Sequence, residues 1–223
     1  MKKYVIIVAG GSGTRMNSEI PKQFLLLKNK PILMQTLSKF AQIKDIELIV
    51  VLPENQIELW ENLCKKHDFN LDYTIVKGGN TRIESVKNGL NSITNDESLV
   101  AIHDGVRPLI TINTIEKSFE EAKKNGNAIV VVSLKDSIRE KTNDNNTKSV
   151  NRNNFYLVQT PQTFQTHLIK KAYQSDNINH LTDDASVLEN IGKKIFLIEG
   201  DYQNIKITTP EDLIVAEALF LEK

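Results

Sequence analysis

The chain opens "MKKYVIIVAGGSGTRM" (Met1–Met16), and the fold turns on whether this stretch is a leader or a strand. A charged start followed by apolar residues resembles the first parts of a signal peptide. However, the run from Tyr4 to Ala9 is only six residues long, and it enters a loop with three glycines in four residues, Gly10, Gly11 and Gly13. A leader carries a longer apolar core and a small-residue cleavage site. The stretch therefore reads as a buried strand that turns on glycine, the place where α/β proteins hold phosphate.

Working outward, the same texture repeats. "IELIVVL" (46–52), "DYTIVK" (72–77), "LVAIHD" (99–104) and "NAIVVVS" (127–133) are apolar with little alternation, as parallel strands covered on both faces are. Helical stripes lie between them: Leu33, Leu37, Phe40 and Ala41; Ile83, Val86, Leu90 and Ile93; Ile112, Ile115, Phe119 and Ala122. Strand–helix alternation predicts an α/β fold with a doubly wound, mainly parallel twisted sheet, and ligands at the carboxyl ends of its strands. After Ser133 the rhythm breaks. The centre of the next stretch, "KTNDNNTKS", reads as a loop or turn, and its flanks around "DSIRE" and "SVNRNNFYLV" pair as a projecting hairpin or else form a linker. "TFQTHLIKKAY" and "TDDASVLENIG" are helix-like, and "KKIFLIEG" (193–200) is strand-like. Thr209 caps a last helix that begins at Pro210.

Composition bounds the function. The chain has 223 residues and is 40% hydrophobic, enough for one domain over 1–223 with an arm at about 134–160. Lys plus Arg and Asp plus Glu both number 28, so no basic field marks a nucleic-acid binder. A single cysteine, Cys64, excludes an internal disulfide framework and suits a reducing compartment. No stretch approaches the ~18 apolar residues of a membrane span. The expectation is a cytoplasmic protein with neither nucleic-acid nor membrane partners.

Two familiar phosphate loops fail on spacing. A dinucleotide fingerprint begun at Gly11 requires glycine where Met16 stands, and a Walker loop requires Gly-Lys-Ser/Thr where Thr14-Arg15-Met16 follows. What remains is a glycine loop whose backbone N–H groups can approach phosphate, with Arg15 and Lys22 adding positive charge. A tight turn with solvated cations is the other reading of the same spacing.

"AGGSGTRM" followed by "PKQF" resembles the signature of nucleotidyltransferases that join a nucleoside triphosphate to a sugar phosphate. The resemblance continues through "GGNTRIESV" (78–86), "HDGVRP" (103–108), "VNRNNFYLVQTPQTF" (150–164), "TDDAS" (182–186) and "NIKITTPEDL" (204–213). These blocks, in this order, are similar to the 2-C-methyl-D-erythritol 4-phosphate cytidylyltransferase family of the non-mevalonate isoprenoid pathway, over essentially the whole chain. The resemblance implies a Rossmann-like nucleotidyltransferase fold with a β-hairpin arm. It also implies transfer of CMP from CTP to 2-C-methyl-D-erythritol 4-phosphate, with Mg²⁺ carried mainly by the CTP phosphates and no metal ligands of the protein's own. The arm implies a homodimer.

Residue by residue, the resemblance gives Arg15 and Lys22 the catalytic role of fixed cations at the reacting phosphates. It gives CTP to Ala9, Gly10, Gly11, Gly13, Gly79, Asn80, Arg82, Ser85 and Asp104. The sugar phosphate falls to Asp104, Arg107, Ser137, Arg152 and Lys206. On the residues alone, Ser85 falls on the exposed side of its helical stripe. Asn80 stands where the family often has Asp, so that side chain carries less of the assignment, and Ser137 stands where the family has Thr. His103 reads as a packed histidine. A pentitol-phosphate (ribitol 5-phosphate) cytidylyltransferase shares most of the blocks. "TDDAS" and the short loop from Arg15 to Lys22 favour the methylerythritol enzyme. A non-catalytic nucleotide-sugar binding module would lack the two loop cations.

Overall fold

A computed structural model describes residues 1–10, 20–142 and 146–221. In chain order the first half runs β1 (Lys3–Val8), a 3₁₀ turn (Lys22–Phe24), β2 (Leu26–Leu27), β3 (Lys30–Pro31), α1 (Ile32–Phe40), β4 (Ile46–Leu52), α2 (Glu54–Lys66), β5 (Thr74–Lys77), α3 (Arg82–Asn91) and β6 (Leu99–Asp104). It continues with α4 (Ile112–Asn125), β7 (Asn127–Ser133), β8 (Arg139–Lys141), β9 (Thr147–Ser149), a second 3₁₀ turn (Arg152–Asn154) and β10 (Tyr156–Gln165). The last elements are α5 (Thr166–Ala172), α6 (Asp184–Glu189), β11 (Leu197–Glu199) and α7 (Pro210–Leu221).

Seven strands form one sheet in the order β11-β7-β10-β6-β1-β4-β5. The chain lays β4 and β5 on one side of β1 and then returns β6 to the other side. The strand order therefore reverses between β1 and β6, where the crevice of a doubly wound sheet opens. Both strands run parallel and in register, Val8 opposite Asp104, so Ala9 and Gly10 after β1 and the turn after β6 emerge side by side.

Alternation along β1 explains the two layers of helices. Val5 and Ile7 face a core with Leu33, Leu37 and Phe40 of α1, Trp60 of α2 and Phe119 of α4. Tyr4 and Ile6 face the opposite core, with Ile83, Val86 and Leu90 of α3, Ile169 of α5 and Val187 of α6. The helical stripes are buried as their spacing implies, except that Ile112 is half-buried and Ala41 lies past the end of α1 and is exposed. Gly89 brings α3 unusually close to the sheet. A Cβ there would lie 2.8 Å from Ile6 Cγ2, so only glycine lets the helix rest on β1.

The second half corrects the sequence reading in three ways. β10 is antiparallel to both neighbours and sits in the middle of the sheet, between β6 and β7. The hairpin is β8 with β9, so Thr147–Ser149 of the polar centre is strand, while Tyr156–Val158 pairs with β7. Phe164 and Gln165 extend β10, and the helix expected from "TFQTHLIKKAY" starts only at Thr166.

Candidate active site

A cleft of about 350 Å³ opens at the β1/β6 switch point. Its floor is Val8, Ala9 and Gly10 at the end of β1, and Asp104 and Val106 at the end of β6. The first turn of α3 forms one wall, from Gly79 to Arg82 and on to Ser85, and Lys22, Gln23 and Lys206 approach from the other elements. Gly11, Gly13 and Arg15 lie outside the described residues. Every other residue assigned to CTP lines this cleft, together with Lys22 and Lys206.

Three consecutive residues after the glycine loop have separate tasks. Lys22 is buried against the cleft. Gln23 donates to the Ala9 carbonyl at 2.7 Å and to Gln56 Oε1 at 2.6 Å, which ties the chain back to the end of β1. Phe24 stacks on Trp60 with ring centres 5.9 Å apart. The motif "PKQF" drew attention only to its lysine, and Gln23 carried no signal of its own.

The α3 wall is built by a capping box. Thr81 accepts from the Glu84 N–H at 3.1 Å, and Glu84 Oε2 accepts from the Asn80 N–H at 2.7 Å. A Cβ on Gly79 would fall 2.3 Å from Glu84 Cβ, so the loop passes the helix only as glycine. Ser85 is buried, not exposed as its stripe suggested. Its hydroxyl accepts from the Gly79 N–H at 3.1 Å and donates to the Thr81 carbonyl at 2.8 Å, which fixes the loop over the helix N-terminus. Such an N-terminus carries a partial positive charge that favours anions and lone pairs.

Opposite stands a charged cluster centred on Asp104. Its Oδ2 lies 3.1 Å from both Arg107 Nε and Lys206 Nζ, and Oδ1 lies 3.9 Å from Arg82 Nε. Burial alone would push this carboxyl up, but Lys206, then Arg82 and Arg107, hold it well below the usual carboxylate range. Arg107 also donates to the Asn204 carbonyl at 2.8 Å, and buried Asn204 donates to the Thr160 carbonyl at 2.9 Å. That pins the "NIKIT" segment to the sheet and brings Lys206 to Asp104. Arg107 does not line the main cleft. It lines a smaller cavity that shares Arg82, Asp104 and Lys206 with it.

His103 packs as expected. It is fully buried, tilted against Phe40 at 4.8 Å, and bridges Thr160 Oγ1 and the Arg107 carbonyl. The Arg107 carbonyl can only accept, so Nε2 carries the ring proton and donates to it, and Nδ1 accepts from the Thr160 hydroxyl, which in turn accepts from the Asp104 N–H. Burial lowers the His103 pKa to about 3, so the ring is neutral and structural.

Ser137 and Arg152 are placed elsewhere. Both are exposed at the base of the hairpin, neither lines the two cavities, and Arg152 donates to the Lys135 carbonyl. Among the described residues no cluster of three or more His, Cys, Asp or Glu is placed to hold a metal ion. The one carboxylate among the described residues of the main cleft, Asp104, is already surrounded by cations. No helix among the described residues is long and apolar enough to cross a membrane.

A doubly wound sheet, Gly10 at its switch point and a cleft with cations facing a helix N-terminus define a nucleotide-handling enzyme of the nucleotidyltransferase class. The model of the family 2-C-methyl-D-erythritol 4-phosphate cytidylyltransferase (IspD) matches residues 3–222. The protein of that name from Azobacteroides pseudotrichonymphae is 50% identical over 221 residues, covering 98% of each chain. Two solved structures superpose along the whole length. The 4-diphosphocytidyl-2C-methyl-D-erythritol synthase of Anaerococcus prevotii has a TM-score of 0.85 at 30% identity, covering 100% of this chain and 96% of its own. The Francisella tularensis 2-C-methyl-D-erythritol 4-phosphate cytidylyltransferase has a TM-score of 0.82 at 32% identity, covering 98% and 99%. The chain belongs to the 2-C-methyl-D-erythritol 4-phosphate cytidylyltransferase family.

Proposed function

We propose that the protein transfers CMP from CTP to 2-C-methyl-D-erythritol 4-phosphate, giving 4-diphosphocytidyl-2-C-methyl-D-erythritol and pyrophosphate. The family match supports the substrates. The observation that carries the chemistry is a single cleft with two charge environments: Lys22 beside Ala9 and Gly10, and Lys206 with Arg82 around Asp104.

An oxygen of the sugar phosphate attacks the α-phosphorus of CTP. One P–O bond forms, the bond to the β-phosphate bridge breaks, and pyrophosphate leaves with that electron pair. The attacking oxygen is already anionic, so no side-chain base is required. The barrier lies in bringing two polyanions together and in the charge that develops on the α-phosphate and leaving group. Fixed cations address both.

In this reading Lys22, with Arg15, stabilises the reacting phosphates. Ala9 and Gly10, with Gly11 and Gly13, present backbone to the triphosphate. Gly79, Asn80, Arg82 and Ser85 surround cytosine and ribose, Ser85 by holding the Gly79 backbone in place. Asp104 orients hydroxyls of ribose or sugar, and Arg107, Lys206, Ser137 and Arg152 take the sugar phosphate. Mg²⁺ fits this site as an ion held by phosphate oxygens and water, supplying charge neutralisation when bound. The arm places Ser137 and Arg152 away from their own cleft, which supports a homodimer in which each arm completes the partner's site. Substrates this highly charged suit a cytoplasmic setting. The test is pyrophosphate release by the purified protein with CTP and each of methylerythritol phosphate and ribitol 5-phosphate. Turnover is expected with the first; preferential turnover of the second overturns the reading.

A further inference from the structure

The segment "TDDAS" does not line the main cleft, yet its Asp184 pairs with Arg82, which does. Asp184, the first residue of α6, is fully buried. Its two oxygens accept from Arg82 Nη1 at 2.9 Å and Nη2 at 2.7 Å, a fork that fixes the plane of the guanidinium. Oδ1 accepts a third bond, from the Tyr173 hydroxyl of the loop after α5, at 2.5 Å. Burial, then Asp184, raises the Tyr173 pKa, so the hydroxyl keeps its proton and stays a donor.

Asp184 is itself held from the sheet. Asp183 caps α6 by accepting from the Ser186 N–H at 3.1 Å. Gln162 of β10 donates to Asp183 Oδ2 at 2.9 Å and accepts from the Ala185 N–H at 2.7 Å. A central strand thus sets the start of α6, α6 sets Asp184, and Asp184 sets Arg82. Arg82 then lines both cavities with its side chain 27% exposed.

A carboxylate removed from water is costly unless it is paired and hydrogen-bonded, and Asp184 spends its bonds on Arg82 and Tyr173. We infer that Asp184 and Tyr173 are positioning residues, which lock Arg82 in the plane that meets the nucleotide. Pairing also balances the charge of Arg82, so it offers hydrogen-bond donors rather than a net cation. That suits cytosine or ribose, and leaves Lys22 and Lys206 to the phosphates. The inference rests on the proposed role of Arg82 in holding CTP.

The test compares Asp184→Asn, Tyr173→Phe, Arg82→Ala and the Asp184→Asn/Arg82→Ala double variant. Asp184→Asn is expected to raise KM for CTP about tenfold or more, the scale of one lost charge-assisted hydrogen bond. KM for methylerythritol phosphate should hold, and the same change in the Arg82→Ala background should add nothing to KM for CTP. Tyr173→Phe, the milder change, should shift KM for CTP in the same direction. Equal losses for both substrates, or a full further loss on top of Arg82→Ala, would reduce Asp184 to a purely structural group. An unchanged KM for CTP in Tyr173→Phe would remove Tyr173 from the inference. The Nη–H resonance of Arg82, the group that donates to Asp184, reads the lock without any substrate. It should be sharp and slow to exchange in the native protein and broadened in Asp184→Asn. A resonance indifferent to Asp184→Asn overturns the inference, whereas a native protein that binds no CTP overturns only the functional reading.

Discussion

Lys206 Nζ lies 3.1 Å from Asp104 Oδ2, joining the segment before α7 to the end of β6 across the mouth of the cleft. Arg107 meets the same oxygen at the same distance. One buried anion thus holds cations that would otherwise repel one another, and it leaves their outer donors free for phosphate.

Removing that anion should be expensive. Asp104→Ala leaves the half-buried Arg107 and the nearby Lys206 without their shared partner, and breaking one side of a buried pair costs about 3–5 kcal/mol. Urea unfolding is expected to show a loss of this size, partly reversed by added inorganic phosphate, which re-supplies negative charge. A loss well under 1 kcal/mol would mean the cluster behaves as a surface ion pair.

Lys22 should act on the chemical step. Lys22→Ala is expected to lower kcat by roughly 10²-fold or more, the scale of a lost electrostatic donor, with a smaller change in KM for CTP. A raised KM with kcat intact would confine Lys22 to ground-state binding.

Acid should weaken the fold through His103. In the unfolded chain the ring takes a proton near pH 6.5, whereas in the folded protein it stays neutral down to about 3. Across that window the unfolded state binds more protons, so stability falls as pH falls, by up to about 1.4 kcal/mol per pH unit from this group. Asp104, with its folded pKa depressed, adds to the loss only below its ordinary 3.8. Thermal midpoints should therefore drop between about pH 6.5 and pH 4, and His103→Gln should flatten that slope while lowering the midpoint at neutral pH. Equal slopes in the two proteins would exclude His103 as the source.

The arm should work in trans. Tyr156 and Leu157 are 49% and 53% exposed in the protomer, with Phe155 and Val158 beside them, an apolar ridge that calls for a cover. Arg152→Ala is expected to raise KM for methylerythritol phosphate and spare CTP. Mixing it with Lys22→Ala under subunit exchange should restore activity, because a heterodimer then holds one site with neither defect. Proven heterodimers that stay inactive, or a monomer in sedimentation, would dismiss the shared site.

Much of this was legible in the sequence because the relevant signals are local. Apolar runs marked 46–52, 99–104 and 127–133 to the residue, and the glycine loop pointed to the switch point between β1 and β6. The antiparallel β10 was hidden by Pro161, which argues against a central strand; it is accommodated where the pairing with β7 shifts register between Val158 and Gln162. β9 lacked any apolar alternation, since all three of its residues are exposed. The burial of Ser85, the clamp of Gln23 and the pairing of Arg82 with Asp184 depend on chain segments that meet only in the fold. No spacing rule reaches that far.

The placement of β10 also dictates when the protein can become whole during synthesis. β6 and β7 are separated only by α4, but they cannot pair with each other, because the slot between them belongs to a strand that ends at Gln165. A nascent chain that has emerged only as far as β7 leaves the β10-facing edge of β6 and both edges of β7 unpaired, and such edges invite pairing with other chains. A chaperone or a pause in translation would therefore matter most in the interval between the emergence of Ser133 and that of Gln165.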